Sequence, residues 1–289
     1  MLKTLNPEIL NGWIGKSEGA TDVIGCQAVR AMSALLDRPP ENESKAPLPP
    51  LWHWLYFHTH TRHRDLGRDG HAKLGGFLPP VDLPRRMWAG GRLEFLSPLY
   101  VGDRVARTST IKSISLKNGG GGRLCFVTVE HNLCRGKDLV LREEHDIVYR
   151  EATIPGTPRR DTAAPPKARD METTVTPDPV MLFRYSALTG NGHRIHYDRE
   201  FCTSVEDYPG LVFHGPLTAT LLADLAARLH ASQERPAAER MTGFSFRATR
   251  PLFDTAPFEI CGRAESGFTD LWATTPDGDL AMRAEAQFA

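Results

Sequence analysis

The sequence contains few cysteines and no long hydrophobic run, and each shortage argues against a class of protein. Its five cysteines are scattered through 289 residues and are never spaced as C-x-x-C. This distribution argues against a disulfide framework or a zinc site built from cysteine pairs. No apolar run approaches the ~20 residues of a membrane-spanning helix, and the first residues resemble neither a secretory signal nor a transit peptide. We expect a soluble, cytoplasmic protein with reduced, structural cysteines.

The sequence also lacks an excess of charge of either sign. Lys+Arg and Asp+Glu number 35 each, and the formal net charge is zero. Because proteins that bind nucleic acids or anionic membranes concentrate positive charge, partners of these two kinds are not expected. Hydrophobic residues make up 40% of the chain, which is enough for a sizeable core. Any anionic ligand would have to be bound by local arginines.

Two proline-rich, polar stretches interrupt the hydrophobic pattern. The first is "DRPPENESKAPLPP" at 37–50, and the second is "IPGTPRRDTAAPPKARD" at 154–170. Neither has the periodicity of a helix or a strand. The second stretch is typical of a linker. We therefore predict an N-terminal domain over 1–153, a linker over 154–171 and a C-terminal domain over 172–289.

Both predicted domains have the same order of elements, a helix followed by antiparallel strands. Five leucines between positions 217 and 229 give 216–233 an apolar helical stripe, and "DVIGCQAVRAMSALLD" has a similar rhythm in the first domain. The turns "NGGGG", "RGKD" and "PDGD" separate segments rich in Val, Ile and Thr or alternating in polarity. Strands are predicted at 104–116, 123–134, 139–150, 241–253, 258–267, 271–275 and 280–289.

A weak internal similarity links the two domains. "GRLEFLSPLYVGD" (91–103) and "FSFRATRPLFDTA" (244–256) each lead from an apolar strand into Pro-Leu-aromatic. Together with the shared order of elements, this similarity indicates an internal duplication. We predict two α+β units, each with a curved antiparallel sheet around a long helix.

The stretch "TGNGHRIHYD" (189–198) concentrates residues that could carry chemistry. One interpretation is a metal site on His193, His196 and His214, but H-E-x-x-H spacing is absent. A phosphate loop would need a G-x-x-x-x-G-K-[ST] motif, which does not occur. The third interpretation is an acid/base centre, because imidazole titrates near neutrality. A second group of histidines is irregularly spaced, and no metal is expected there: His53, His58, His60, His63 and His71.

This stretch and "VFHGPLTATLLADL" resemble the signature of the MaoC-like (R)-specific enoyl-CoA hydratases of the hotdog fold. The sequence departs from that signature at three positions, with Asn191 for the catalytic aspartate, His193 for an asparagine and Arg194 for a proline. With "LPPLWHWLYF", "DGH" and "GGFLPPVDLPRRMWAGGRLEF", the chain resembles a sub-branch containing mesaconyl-C4-CoA and itaconyl-CoA hydratases and mitochondrial-type 3-hydroxyacyl-thioester dehydratases. The matching signature positions are Tyr185, Thr189, Gly190, Ile195, His196, His214 and Gly215.

The resemblance implies a double hotdog of the α+β class and a hydro-lyase that acts on acyl-CoA without a cofactor. Its N-terminal unit would shape the acyl pocket, and its C-terminal unit would keep the catalytic motif. Since hotdog units pair through their sheets, a homodimer is expected. The preferred substrate is a five-carbon dicarboxylic thioester, mesaconyl-C4-CoA or itaconyl-CoA, hydrated to citramalyl-CoA.

Hydration of an enoyl thioester requires a base for water, a proton for the α-carbon and donors for the enolate oxygen. His196 is the candidate for proton transfer, with Asp198 as the group that orients it. Asn191 can hold a water molecule but cannot deprotonate it. The Gly215 N–H, at the start of the long helix, is the candidate oxyanion donor. These are the predicted catalytic residues, with Asp198 in support.

The remaining candidates would bind the substrate. Arginines suit a carboxylate or a CoA phosphate, and the motif supplies histidines and an aromatic side chain. An arginine in the pocket would favour the dicarboxylic substrate. An open apolar tunnel would favour a dehydratase for longer fatty chains, while a thioesterase and a non-catalytic thioester-binding scaffold are further alternatives. The predicted binding residues are Arg194, His193, His214, Tyr185, Arg86 and Arg92.

Overall fold

The computed structural model describes residues 5–39, 45–119, 122–152, 163–233 and 239–289. These residues form one antiparallel sheet and four α-helices. The strands are β1 (Ser17–Val23), β2 (Arg85–Phe95), β3 (Arg104–Gly119), β4 (Gly122–Arg135), β5 (Asp138–Arg150), β6 (Met171–Val175), β7 (Met241–Ala248), β8 (Phe258–Ala264), β9 (Thr269–Thr274) and β10 (Leu280–Phe288). The helices are α1 (Pro7–Asn11), α2 (Cys26–Leu35), α3 (Pro179–Leu188) and α4 (Gly215–Ala231). Within these ranges no helix combines the length and hydrophobicity needed to cross a bilayer.

The order of strands in the sheet is symmetric. It runs β1-β3-β4-β5-β2-β7-β10-β9-β8-β6. Counted inward from the two edges, β1 to β5 occupy the same places as β6 to β10. This order confirms the predicted duplication, and it joins the two units into one continuous sheet through β2 and β7.

A glycine pair makes the junction between β2 and β7 possible. Gly90 and Gly91 pair with Arg247 and Phe246. A Cβ on Gly90 would lie 2.5 Å from the Phe246 carbonyl oxygen, and one on Gly91 would lie 2.8 Å from the Glu144 carbonyl oxygen. Since no side chain fits there, glycine permits the close approach of the strands.

Helix α4 forms the core of the second unit. It begins at Gly215 and carries Pro216 in its first turn, where a missing N–H costs no hydrogen bond. The helix packs against β8, β9 and β10. The helix predicted at 216–233 is therefore confirmed within two residues at each end. Its fully buried leucines are Leu217, Leu222, Leu225 and Leu229.

The first unit has no counterpart of α4 among its described residues, which departs from the expectation of a long helix in each unit. Helix α2 packs on α3, the helix in the equivalent place of the second unit. Where a long helix would begin, one 3₁₀ turn at Trp52–Leu55 forms, and Phe57 then takes a positive φ of 63°. The chain up to β2 contains four glycines and three prolines, which prevent a regular helix.

The corner after β2 matches the corner after β7, as the internal similarity predicted. The backbone N–H of Leu48 donates to the Leu99 carbonyl at 2.7 Å, and that of Phe213 donates to the Leu252 carbonyl at 2.8 Å. The chain segments after Leu48 and after Phe213 thus start from equivalent places. The first becomes the irregular segment 49–84, and the second becomes α4.

Parts of three predicted segments lie outside the described residues. These are 154–162 of the linker, 120–121 of the "NGGGG" turn and 40–44 of the first proline-rich stretch. Residues 163–170 contain no helix or strand, and β6 begins at Met171. The "PDGD" turn is formed as predicted, with Gly278 at a φ of 85°.

Candidate active site

A cavity of about 570 Å³ lies where the two units meet. Tyr185, Asn191, His193, His196 and Gly215, all from the predicted site, line it. Side chains from the irregular segment of the first unit form the opposite wall. Four arginines also reach the cavity: Arg85, Arg86, Arg107 and Arg250. The fold therefore brings together residues that are separated by more than a hundred positions in the sequence.

His196 is held in its neutral form at the cavity wall. It ends a 3₁₀ turn that starts at Arg194, and only 7% of the residue is exposed. Its Nδ1 lies 2.8 Å from the Val212 carbonyl oxygen. Because a carbonyl only accepts, Nδ1 carries the hydrogen and Nε2 keeps its lone pair. Burial lowers the pKa of His196 to about 4, so the ring is uncharged at neutral pH.

His214 lies beneath His196 and does not line the cavity. The two rings are stacked with centroids 3.7 Å apart, and His214 Nε2 shares a hydrogen bond of 2.9 Å with the Ser186 hydroxyl. Burial and the neighbouring histidines hold the pKa of His214 well below its ordinary value. The structure thus gives no support to the predicted substrate contact of His214, whose ring packs against that of His196 instead.

Asn191 and His193 are fixed by hydrogen bonds of their own loop. Asn191 Oδ1 accepts from the His193 N–H at 3.0 Å, and the Asn191 N–H donates to the Ser186 carbonyl at 2.8 Å. The amide nitrogen of Asn191 remains as a donor toward the cavity. Burial lowers the pKa of His193 to about 2. Neither side chain carries charge at neutral pH.

Gly215 presents a helix N-terminus to the cavity. Its N–H belongs to the first turn of α4, where backbone N–H groups have no intrahelical carbonyl to bind. No atom lies within 4 Å of the place that a Cβ would take. An oxygen that gains negative charge can be bound at this position by the N–H and the helix dipole.

Arg194 is directed away from the cavity. Its Nε and Nη2 donate to Asp198 Oδ2 at 2.9 and 2.7 Å, and its Nη1 donates to the Arg68 carbonyl at 3.1 Å. The guanidinium also lies 4.2 Å from the centroid of the Phe201 ring. Arg194 is thus not among the residues that line the cavity, and this position gives no support to the predicted substrate contact. The carboxylate of Asp198 is engaged by Arg194, and the Val212 carbonyl, not Asp198, binds Nδ1 of His196.

Of the other two predicted arginines, one lines the cavity and one does not. Arg92 has an exposed side chain that donates to Glu144 and Asp146, and it does not reach the cavity. The position of its side chain therefore gives no support to the predicted role in substrate binding. Arg86 lines the cavity, and among the described residues no carboxylate lies within ion-pair distance of its guanidinium.

A loop from the first unit brings a carboxylate and an imidazole to the motif, and the sequence reasoning missed it. Asp69 Oδ2 lies 2.8 Å from His71 Nδ1, and the Asp69 carbonyl accepts from the Arg194 N–H at 2.9 Å. The rings of His71 and His193 have centroids 4.1 Å apart. The available signal was the "DGH" triplet, but a contact across 120 residues is not visible in one sequence.

A second missed cluster surrounds Glu143, which is 2% exposed. Its carboxylate lies 2.8 Å from His53 Nε2, accepts from Trp54 Nε1 at 2.7 Å and contacts His145 Nε2. Burial alone would raise the pKa of Glu143, but His145 and His53 hold it well below its ordinary value. This cluster contributes polar side chains to the first unit's wall of the cavity.

Among the residues that the structure describes, two sets of side chains have the composition of a metal site. The donor atoms of Asp69, His71 and His193 lie within 4.8 Å of one another, as do those of Glu172, Glu259 and Cys261. The first set overlaps the active-site candidates. There, the Asp69 oxygen and the His71 nitrogen are already at hydrogen-bond distance.

Comparisons with known proteins show the family of the chain. The model of the hydroxyacyl-thioester dehydratase type 2 family matches residues 51–254. A mesaconyl-C(4)-CoA hydratase of Chloroflexus aurantiacus is 46% identical over 95% of this chain and 96% of its own length. The mitochondrial hydroxyacyl-thioester dehydratase type 2 of Schizosaccharomyces pombe is 29% identical over 81% of this chain and 82% of its own.

Solved structures with similar folds support the architecture. A MaoC-like dehydratase from Phytophthora capsici aligns with a TM-score of 0.67 over 99% of each chain at 18% identity. A Mycobacterium tuberculosis protein described as a double hotdog aligns with a TM-score of 0.56 over 96% of each chain at 12% identity. These likenesses establish the fold, a double hotdog of the α+β class, as predicted.

The fold and the matched sequence together define the class of the protein, a hydro-lyase that acts on acyl thioesters. The chain belongs to the hydroxyacyl-thioester dehydratase type 2 family. The predictions of an enzyme and of the MaoC-like sub-branch are confirmed.

Proposed function

We propose that this enzyme hydrates mesaconyl-C4-CoA to citramalyl-CoA. The observation that carries the choice of substrate is Arg86, whose guanidinium lines the cavity beside the motif and has no carboxylate partner among the residues described. The 46% identity to a hydratase of that name supports the same substrate. A half-buried cation without a carboxylate partner favours an anionic substrate group at this point.

The chemistry of the substrate explains why Arg86 is the relevant arginine. In mesaconyl-C4-CoA the free carboxylate is attached to the carbon that water attacks. A side chain that binds this carboxylate must therefore lie beside the group that activates the water. Burial lowers the pKa values of His71 and His193, and the charge of Arg86 lowers both further, so Arg86 lies close to both rings.

The motif residues take complementary roles in this proposal. His196 presents an unprotonated Nε2 to the attacking water, and the Asn191 amide donates a hydrogen bond to the same water. The Gly215 N–H binds the thioester oxygen as it becomes an enolate. Tyr185 packs beside them, deeply buried. The C-terminal domain (172–289) thus carries the motif, and the N-terminal domain (1–153) shapes the acyl pocket and supplies Arg86.

The test is turnover of a panel of thioesters, followed by chromatography: mesaconyl-C4-CoA, itaconyl-CoA, crotonyl-CoA and a long 2-enoyl-CoA. We expect Arg86→Gln to lower kcat/KM for mesaconyl-C4-CoA by about 10- to 100-fold, the loss of one charged hydrogen bond. Crotonyl-CoA has no free carboxylate, so its turnover should change little. Arg92→Gln, on the same strand, is the matched control and should leave both substrates unaffected.

Two results would contradict the assignment of Arg86. One is an equal loss on both substrates, and the other is no loss on either. If itaconyl-CoA were the one thioester converted, the proposed class of dicarboxylic substrates would stand, but the substrate would be itaconyl-CoA and not mesaconyl-C4-CoA.

A dehydratase of longer 3-hydroxyacyl thioesters is the alternative, because relatives with that name match 70% or more of this chain. The apolar side chains in the cavity wall, among them Trp54, Trp88 and Phe213, suit an acyl chain. Faster conversion of the long 2-enoyl-CoA than of mesaconyl-C4-CoA would select this alternative.

We further propose that the enzyme works in the cytoplasm as a homodimer. The five cysteines are free, as in a reducing compartment. The sheet ends at two edge strands, β1 and β6, which a second copy could cover. Light scattering of the purified protein measures the number of subunits directly, and a monomer would exclude the dimer.

A further inference from the structure

The motif supplies imidazoles to the cavity but no carboxylate. The Asn191 amide cannot accept a proton, and Asp198 is engaged by Arg194. We propose that Asp69 and His71, from the loop 66–72 of the first unit, form the carboxylate–imidazole pair that deprotonates the attacking water. This inference rests on the proposed hydratase function and assigns its general base to the domain without the motif.

The hydrogen bonds of Asp69 prepare His71 as a base. Its Oδ2 lies 2.8 Å from His71 Nδ1, and its Oδ1 accepts from the His71 N–H at 3.1 Å. Burial alone would raise the pKa of Asp69, but the contacts with His71 hold it well below its ordinary value. An ionised carboxylate only accepts, so Nδ1 of His71 carries the hydrogen and Nε2 keeps a lone pair.

The difference between His71 and His196 lies in the partner of Nδ1. His196 Nδ1 donates to the neutral carbonyl of Val212, whereas His71 Nδ1 donates to a carboxylate. A carboxylate stabilises the imidazolium that forms on proton transfer, and it does so more strongly than a neutral acceptor. His71 is therefore the better proton acceptor of the two, and His196 is suited to hold the water.

The loop that carries the pair is docked tightly on the motif. The Asp69 carbonyl accepts from the Arg194 N–H at 2.9 Å, and the Arg68 carbonyl accepts from Arg194 Nη1 at 3.1 Å. Gly70 has a φ of +90°, and a Cβ there would overlap the Gly192 carbonyl oxygen. A direct contact between two glycines thus fixes the loop, and Arg194 is a positioning residue for it.

The surroundings of His71 match the proposed reaction. The charged and titratable groups that face it are Asp69, Arg86, His193 and, behind His193, His196. A substrate carboxylate bound by Arg86 would bring the attacked carbon to the same part of the cavity. The acyl thioester would then extend toward the Gly215 N–H.

His71 both takes the proton from water and returns it to the substrate, so the step needs no other proton donor. An O–H bond of water breaks, its proton passes to His71 Nε2, and the oxygen forms a bond to the β-carbon. The electron pair of the C=C bond moves toward the thioester oxygen, which the Gly215 N–H binds. The His71 imidazolium then returns the proton to the α-carbon, so the net change is the addition of one water.

The first experiment is steady-state kinetics of the full chain with mesaconyl-C4-CoA. We expect His71→Gln to lower kcat by about 10²-fold or more, the usual contribution of a general base, with KM changed by less than about 3-fold. His63→Gln, an exposed histidine of the same segment, is the matched control and should retain full activity. A His71→Gln variant with the kcat of the wild type would overturn the proposal.

Asp69 acts through His71, so its test needs a different readout. Asp69→Asn removes the charge that favours the imidazolium, and we expect kcat to fall and the acidic limb of the kcat/KM profile to move to lower pH. Asp69→Glu should restore part of the rate. Equal losses in both variants without a shift of the acidic limb would indicate a structural role and contradict the assignment.

Further measurements distinguish a failure of the Asp69–His71 pair from a failure of the proposed hydratase function. Nitrogen-15 NMR of histidine-labelled wild type should show His71 protonated at Nδ1, and protonation at Nε2 would overturn the pair even if no thioester is turned over. Wild type that turns over no enoyl thioester would reject the proposed function instead. Activity lost on chelation and regained with Zn²⁺ would also overturn the pair, because Asp69, His71 and His193 would then serve as metal ligands.

Discussion

The protonation and the chemical role of each residue at this site are set by its burial and by its hydrogen-bond partner. His196 and His71 have the same side chain and similar surroundings, yet one donates to a carbonyl and the other to a carboxylate. Asn191 is polar like the aspartate that it replaces, but its oxygen is occupied by a backbone N–H. The roles of these residues therefore follow from their partners and not from their residue types.

Glu143 gives a prediction at the same scale. Its buried carboxylate is stabilised by hydrogen bonds with His53, His145 and Trp54. Glu143→Gln replaces the charged acceptor of these bonds with a neutral amide and should lower the free energy of unfolding by about 3 kcal/mol. Urea titration at pH 7 measures the loss. Glu94→Gln removes an exposed pair with Arg142 and should cost less than about 1 kcal/mol. Equal losses in the two variants would contradict the structural role of Glu143.

Among the elements, those with a periodic pattern were predictable and the irregular ones were not. The strands β3 to β5 and β7 to β10 and the helix α4 were predicted from local alternation and from a leucine stripe. The loop 66–72 has no such pattern, because its conformation depends on Gly192 and Arg194 in the second unit. Its contribution to the active site is set by contacts across the interface.

Substituting Gly70 tests the docking of this element. Gly70→Ala adds a Cβ that would overlap the Gly192 carbonyl and imposes strain at a φ of +90°. We expect kcat for mesaconyl-C4-CoA to fall by about 10-fold or more as His71 is displaced. Gly76→Ala, in the same segment with no atom near its Cβ position, should keep the rate. Full activity of Gly70→Ala would mean that the loop position does not matter for catalysis.

Folding buries several histidines in their neutral form, and this makes the stability of the protein dependent on pH. Burial lowers the pKa of His131 to about 3, of His193 to about 2 and of His196 to about 4. Below pH ~6.5 the unfolded chain binds protons that the folded chain does not, so stability falls as the pH decreases. Each such histidine contributes a slope of up to about 1.4 kcal/mol per pH unit.

Urea unfolding between pH 8 and pH 5 measures this dependence. The free energy of unfolding should be nearly constant above pH 7 and should decrease steadily below pH 6.5. His196→Gln removes one of the neutral histidines and should make the slope below pH 6 shallower by about one proton. His63→Gln, at an exposed position, should leave the slope unchanged. A wild-type curve that is flat down to pH 5 would contradict the proposed protonation states.

The sequence alone was enough to predict the strands β3 to β5 and β7 to β10, the helix α4, the duplication and the motif of this protein. These depend on local periodicity, on turn residues and on short spacings, which one chain displays directly. Which side chains meet in the cavity became visible only in the folded chain: Asp69, His71 and Arg86 line it beside the motif, whereas Arg194 and Arg92 do not line it. The physical reason is that the direction of a side chain depends on ion pairs and backbone contacts between segments far apart in sequence, and those contacts form when the two units pack through β2 and β7.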